Sequence, residues 1–287
     1  KKIFWGILLL IFCTSGIAYL SVKYLESVSE QMVMTDLGDR NSITMQLVNK
    51  DITSRLLELE SYAQAPFLKE FTEQSDEEFA AMENREQYIA GIEKDWTGHH
   101  DTDAIRAILD NELSQKLRIH QEAIARHHNY NMIMEMFVAN KYGAVVGSTG
   151  KTFDYDQADE AWFQRALSTK LPGIDNIDFD RSIGAMAMDV YVPVIDQDDE
   201  VIGVMKAVLD LRGIRQDLAQ LTEYSRYENV KLFLISDEGR PLVSSHLKTS
   251  YLNEEVTQED TIEKFPCLVK AAAQAEVQPN GFFSYEE

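Results

Sequence analysis

Residues 3–22 of the chain read IFWGILLLIFCTSGIAYLSV without one charge, directly after Lys1 and Lys2. A run of about 20 apolar residues crosses a hydrocarbon core of about 30 Å as a helix, so this stretch predicts a transmembrane anchor. A cleaved signal peptide would show a shorter apolar core and a small-x-small cleavage site, and neither feature is clear. Trp5 and Tyr19 lie near the two ends, where interfacial aromatics belong. The paired lysines favour a cytoplasmic N-terminus, which puts everything after Val22 outside.

From residue 23 to 62 there is no proline, and apolar positions recur at helical spacing at Val28, Met32, Leu47, Ile52, Leu56 and Leu59. One long helix continuing out of the membrane is expected. Gly38 is tolerated within it at about 1 kcal/mol relative to alanine. Pro66 ends it, because the residue before a proline avoids the helical region. The apolar stripe along residues 28–59 suits a homodimer seam or burial against the chain's own sheet. Two further helical stretches, 76–95 and 102–127, are polar on one side and are expected to pack against the first.

At Asn131 the pattern changes to short β runs, and a repeat appears. Phe137-Val-Ala-Asn-Lys-Tyr-Gly143-Ala-Val-Val returns as Phe233-Leu-Ile-Ser-Asp-Glu-Gly239-Arg-Pro-Leu-Val. Each is an apolar strand, a polar turn closing on glycine and a second apolar strand, which is a β-hairpin pattern. A third hairpin runs from Val190 through Pro193 to Gly203. The simplest organisation is an anchor over 1–22, a helical region over 23–130, a first α+β module over 131–227 that includes a connecting helix from Arg212, and a second module over 228–287. After its hairpin the second module offers a helix near 264–275 and a strand at 281–285. By analogy with the first it lacks strands, so it is expected to be truncated at Glu287 with an output region beyond.

Charge narrows the function. Among 287 residues, 48 Asp+Glu against 27 Lys+Arg give a net charge of -21, while the hydrophobic share of 45% and charged share of 26% are ordinary for a folded domain. So acidic a surface repels phosphate backbones and anionic headgroups, which excludes nucleic acid as a partner and leaves membrane attachment to the apolar stretch. Two distant cysteines, Cys13 and Cys267, make no disulfide framework and no CxxC metal site. The His99-His100 and His127-His128 pairs point apart on a helix and are poor metal clamps. The string at 147–152 ends like a phosphate-binding loop, but Val145 stands where its first glycine is needed. No catalytic pair or nucleophile elbow is present, and no cofactor or metal is expected.

In this order, the long helix out of the membrane, the hairpin closing on Gly143, the Asp-x-x-Trp-Phe of Asp159 to Phe163, the Pro193-Val-x-Asp with Gly203-Val, and the second hairpin at Gly239 resemble the double Cache family of extracytoplasmic sensors. That family is carried by chemoreceptors, sensor histidine kinases and diguanylate cyclases or phosphodiesterases. The resemblance covers the chain from the anchor to the end. It implies an α+β architecture of two tandem PAS-like antiparallel sheets, with the ligand held in the first, membrane-distal module. It also implies a bacterial inner-membrane receptor whose soluble part lies in the periplasm or outside the cell and which is not itself an enzyme.

Candidate ligand residues come from both sources. Tyr155 precedes Trp162 and Phe163 by about two helical turns, so on a helix they share one broad face that could wall an apolar or cationic ligand. The same aromatics are equally what an amphipathic core helix buries. In amino-acid-binding members that this chain resembles, a Tyr seven positions before the Trp belongs to the ligand motif, and Tyr155 and Trp162 match. Glu160 stands where those members have a carboxylate-clamping Arg, and Phe163 where they have a Tyr. Alternation along the strand 185–193 puts Asp189 and Tyr191 on one face, and Asp189 then needs solvent or a cationic partner. Asp178 belongs to the same acidic surroundings, and Asp210 resembles the family's amine-binding Asp. Glu160 and the acidic surroundings together lean towards a cationic or amino-acid-like small molecule. The sequence thus predicts a ligand-sensing receptor domain acting as a homodimer, with a membrane-anchored scaffold or adaptor for a protein partner as the alternative.

Overall fold

The computed structural model describes residues 2–180, 185–223, 226–227, 230–236, 240–245 and 266–277, the side chains of 2–4, 6–13, 185 and 275–277 excepted. The helix α1 runs unbroken over Lys2–Ala63, so the apolar stretch and the polar stalk are one element. Among the described residues no helix is long and apolar enough to cross a membrane. Much of the expected anchor, residues 6–13 above all, has side chains outside the described set.

Pro66 is the first proline in the chain. It opens α2 (Pro66–Ala80), where its missing N–H would have had no helical partner. The stretch 76–95, expected as one helix, is divided between α2 and α3 (Arg85–Thr97). The break lets Phe79 from one helix and Ile89, Ile92 and Trp96 from the other enter the same apolar cluster. The stretch 102–127 also divides, into α4 (Asp103–Leu109) and α5 (Glu112–His128). The reason is local: Asn111 caps α5 by accepting the Ser114 N–H at 2.8 Å, and Thr102 caps α4 by accepting from Ile105 at 3.4 Å. Asn129 closes α5 in the left-handed conformation, φ 59°.

The sheet that follows is antiparallel with strand order β2-β1-β5-β4-β3, from β1 (Ile133–Asn140), β2 (Val145–Ser148), β3 (Gly173–Asp180), β4 (Ala185–Ile195) and β5 (Val201–Asp210). The helix α6 (Ala161–Thr169) lies between β2 and β3, and α7 (Arg212–Glu223) leaves β5. Gly143, at φ 88° in the first hairpin, sits where an added Cβ would meet the Ala158 backbone nitrogen at 2.5 Å. Asp76 on α2 ties that turn down by accepting the Lys141 N–H at 3.2 Å. Burial pushes its carboxyl up to about 6.

Period-2 alternation gives the central strands two covered faces. The back face, with Met136, Val138, Met188, Val190, Val192 and Met205, packs on Val48, Leu59 and Ala63 of α1 and on Leu113 and Leu117 of α5. The front face, with Phe137, Ala139, Tyr191 and Val204, meets Trp96 of α3 and Trp162, Phe163 and Ala166 of α6. A five-stranded sheet covered on both sides is thus supplied almost wholly by the first expected module together with α1 to α5. Of the second module, β6 (Phe233–Ile235) pairs antiparallel with β7 (Pro241–Ser244), and a helix α8 spans Pro266–Val277. The turn at Gly239 and the strand expected at 281–285 lie outside the described residues. Arg240 links the two sheets, donating to the Asp178 carboxylate at 2.7 Å and to the Ile177 carbonyl at 3.2 Å.

Candidate functional site

On the front face, residues directly opposite one another across the strands form rows, because paired residues of an antiparallel sheet point the same way. One row is Phe137 on β1, Lys206 on β5 and Tyr191 on β4. The next is Glu135, Val208 and Asp189. A third holds Asp210, Ala187 and Asp178. Trp162 of α6 stands over the first row, its ring centroid 6.1 Å from Phe137 and 6.3 Å from Tyr191. Beneath it the Lys206 ammonium lies 4.7 Å from the indole centroid and 3.0 Å from Asp189 Oδ2.

A lysine in the middle of a central strand loses much of its hydration. Its side chain is only 14% exposed and that of Asp189 28%, so the pair is held largely out of water with an aromatic face as the third partner. Glu135 stands diagonally across from Lys206, within the reach that diagonal neighbours allow long side chains. Burial pushes its carboxyl up to about 7, with Lys206 opposing the shift and Asp180 and Asp189 adding to it. Glu135 has no hydrogen bond or ion pair among the described residues, whereas Lys206 is paired with Asp189. The site therefore offers an ammonium, a paired carboxylate, an acceptor with no donor among the described residues, and a three-ring aromatic wall over two rows.

The structure distributes the sequence-predicted residues unevenly around this cluster. Trp162, Tyr191 and Asp189 are brought together, and the cation that Asp189 requires is Lys206. Phe163, 1% exposed, backs Trp162 edge-on at 5.7 Å and belongs to the packing of α6. Tyr155 does not share a helix with Trp162 as expected. Val145 donates its N–H to the Tyr155 carbonyl and Gln157 donates to Gly143, so the segment satisfies its backbone against the hairpin edge and α6 starts only at Ala161. The Tyr155 ring, 2% exposed, packs on Trp96 at 5.6 Å. Glu160 takes the N-cap position of α6 without a side-chain capping bond. Asp178 turns to Arg240. Asp210 is engaged at the start of α7, where its carboxylate accepts the Arg212 N–H at 2.7 Å and faces the Arg212 guanidinium at 3.1 Å.

No protein-family model and no curated protein matches the chain. Solved structures do. The sensory domain of the Campylobacter jejuni chemoreceptor Tlp3 (CcmL) is similar at 11% identity over 82% of this chain and 81% of that one, with a TM-score of 0.45. The ligand-binding domain of the Pseudomonas aeruginosa PAO1 amino acid chemoreceptor PctC, in complex with GABA, is similar at 16% identity over 74% and 81%, with a TM-score of 0.39. The sensor domain of the V. cholerae histidine kinase DctB is similar at 16% identity over 61% and 66%, with a TM-score of 0.33. The structural neighbours are sensor domains of the Cache type.

Three residues of the cluster escaped sequence reasoning: Glu135, Phe137 and Lys206. The signal was available for two of them. A charge flanked by apolar residues on a central strand flags Asp189, and the same test applied to Met134-Glu135-Met136 and Met205-Lys206-Ala207 finds the other two.

Proposed function

We propose that the chain is the membrane-anchored, extracytoplasmic sensing part of a signal-transduction receptor, that it binds a small amino-acid-like molecule on the front face under α6, and that it has no catalytic activity of its own. One observation carries the reading: a sheet covered on both sides keeps Glu135, Asp189 and Lys206 at the centre of its front face, next to Trp162 and Tyr191. Partly buried charge of both signs lowers stability relative to an apolar floor, and a polar ligand that needs those groups gives them a use.

The anchor is supported by the continuity of α1 into residues 3–22 and by its exposed apolar side chains, among them Trp5 at 66%, Ile17 at 65% and Leu20 at 67%. Such a surface suits lipid better than water. The receptor acts as a homodimer in this reading, with Met32, Ile43 and Leu47 sharing one face of α1 and exposed at 65%, 53% and 45%. The aromatic and carboxylate cage expected for a simple amine already holds the chain's own ammonium, which favours a ligand that brings a carboxylate as well. Calorimetric titration of the full chain in detergent micelles against the common L-amino acids and simple amines tests the proposal. Saturable binding of at least one of them is expected, and its loss in Trp162→Ala locates it. A wild-type chain that binds none of them refutes the reading.

A further inference from the structure

The front-face cluster contains two groups of opposite charge whose bonding capacity is not used up. Lys206 has three N–H donors and, among the described residues, a single ion-pair partner, Asp189 at 3.0 Å. Glu135 is a carboxyl with no hydrogen bond or ion pair among the described residues. They stand on adjacent strands in adjacent rows, Lys206 opposite Phe137 and Glu135 two residues earlier on β1. Trp162 covers Lys206 at 4.7 Å. Neither residue belongs to the aromatic and acidic motif that the sequence brings forward.

We propose, resting on the sensor reading, that Lys206 and Glu135 are the specificity-determining pair of the site: Lys206 receives the carboxylate of the ligand and Glu135 its ammonium. The site then takes a molecule that carries both charges close together and discriminates against one that carries either alone. A bare amine meets an ammonium already seated on Asp189. A bare carboxylate satisfies Lys206 but leaves Glu135 without a donor. Asp189 keeps Lys206 aimed while the cluster is empty and is the second acceptor available to the incoming ammonium.

The arrangement also fixes the pH dependence. Among the described residues the charged groups facing Glu135 are Lys206 on β5, Asp189 on β4 and Asp180 on β3, and Arg165 on α6 lies beyond Tyr191 with its guanidinium 6.0 Å from that ring. Burial and the two aspartates favour the protonated carboxyl and Lys206 the ionised one, the balance lying at about 7. A protonated Glu135 has no charge to offer an ammonium, so the zwitterion binds more tightly as pH rises through neutrality.

The test uses the full chain in micelles, the common L-amino acids, and the amine and carboxylic acid of the same skeleton for each that binds, at about pH 6 and about pH 8. Wild type is expected to prefer the zwitterion over either single-charge analogue by at least about tenfold. Lys206→Met should turn the preference towards the amine, and Glu135→Gln towards the carboxylate with the pH dependence removed. Lys206→Arg keeps the charge and should keep the wild-type ranking, and a single cooperative thermal transition in each variant shows that it is folded. If both neutral variants keep the wild-type ranking and affinities within about twofold, the pair is structural and the proposal fails while the sensor reading stands. If wild type binds nothing, both fail together.

Discussion

Glu135 makes the sharpest case at the scale of single residues, because its position on β1 fixes the sign of a stability effect. Its carboxyl lies at about 7 in the folded chain against an ordinary value of 4.5, so folding favours the protonated form. Stability from this group is therefore full below about pH 4.5 and is lost as pH rises through 7. Glu135→Gln is expected to stabilise the chain at pH 8 by an amount on the order of 1–3 kcal/mol and to change little at pH 4, as read by denaturant unfolding at the two pH values. A uniform effect at both would show that the carboxyl is not desolvated. Asp189 was legible from sequence because alternation places a carboxylate amid a β run, where it needs either solvent or a cation. Which cation was not legible, since only the pairing of β4 with β5 sets Lys206 beside it. The helix expected to join Tyr155 to Trp162 was misleading for the converse reason. The spacing of the two is helical, but the backbone bonds of the segment 155–157 run to the hairpin at Gly143 and Val145.

Among elements, the hairpins and the long helix followed from local chemistry, and the helix breaks did not. A turn glycine marks β1–β2, a run of polar residues at 196–200 marks the turn of β4–β5, and the apolar runs flanking each mark the strands without any tertiary information. The division between α4 and α5 depends on the cap at Asn111, whose side chain accepts the Ser114 N–H and competes with an otherwise continuous helical pattern. Gly143 offers a direct check on the first hairpin. Gly143→Ala must hold alanine at φ 88° and push its Cβ into the Ala158 backbone, so a loss of about 2–4 kcal/mol is expected in thermal or chemical unfolding. A near-neutral result would mean that the hairpin is joined to the segment 155–158 less closely than described.

For the whole molecule, the expected two-module plan is described in full only for the first sheet, with the β6–β7 hairpin and α8 representing the second. The helix α1 packs on β4 of the first sheet and on α7, and α7 in turn packs on β7, so both sheets bear on the same stalk. If α1 also supplies the dimer seam, Met32→Asp should weaken self-association of the full chain in micelles while leaving ligand affinity unchanged, as measured by sedimentation velocity and calorimetry. Equal sedimentation of variant and wild type would place the contact elsewhere.

The unbroken course of α1 carries a mechanical consequence. At 62 residues and about 1.5 Å per residue the helix is roughly 93 Å long, and its sheet-packed end lies about 60 Å or more from its apolar start. No proline interrupts it to act as a joint, so a tilt at one end is carried to the other. For a rigid helix, a tilt of about two degrees where Gln64 donates to the Pro193 carbonyl displaces the opposite tip by roughly 3 Å, so a small adjustment at the sheet arrives at the far end enlarged.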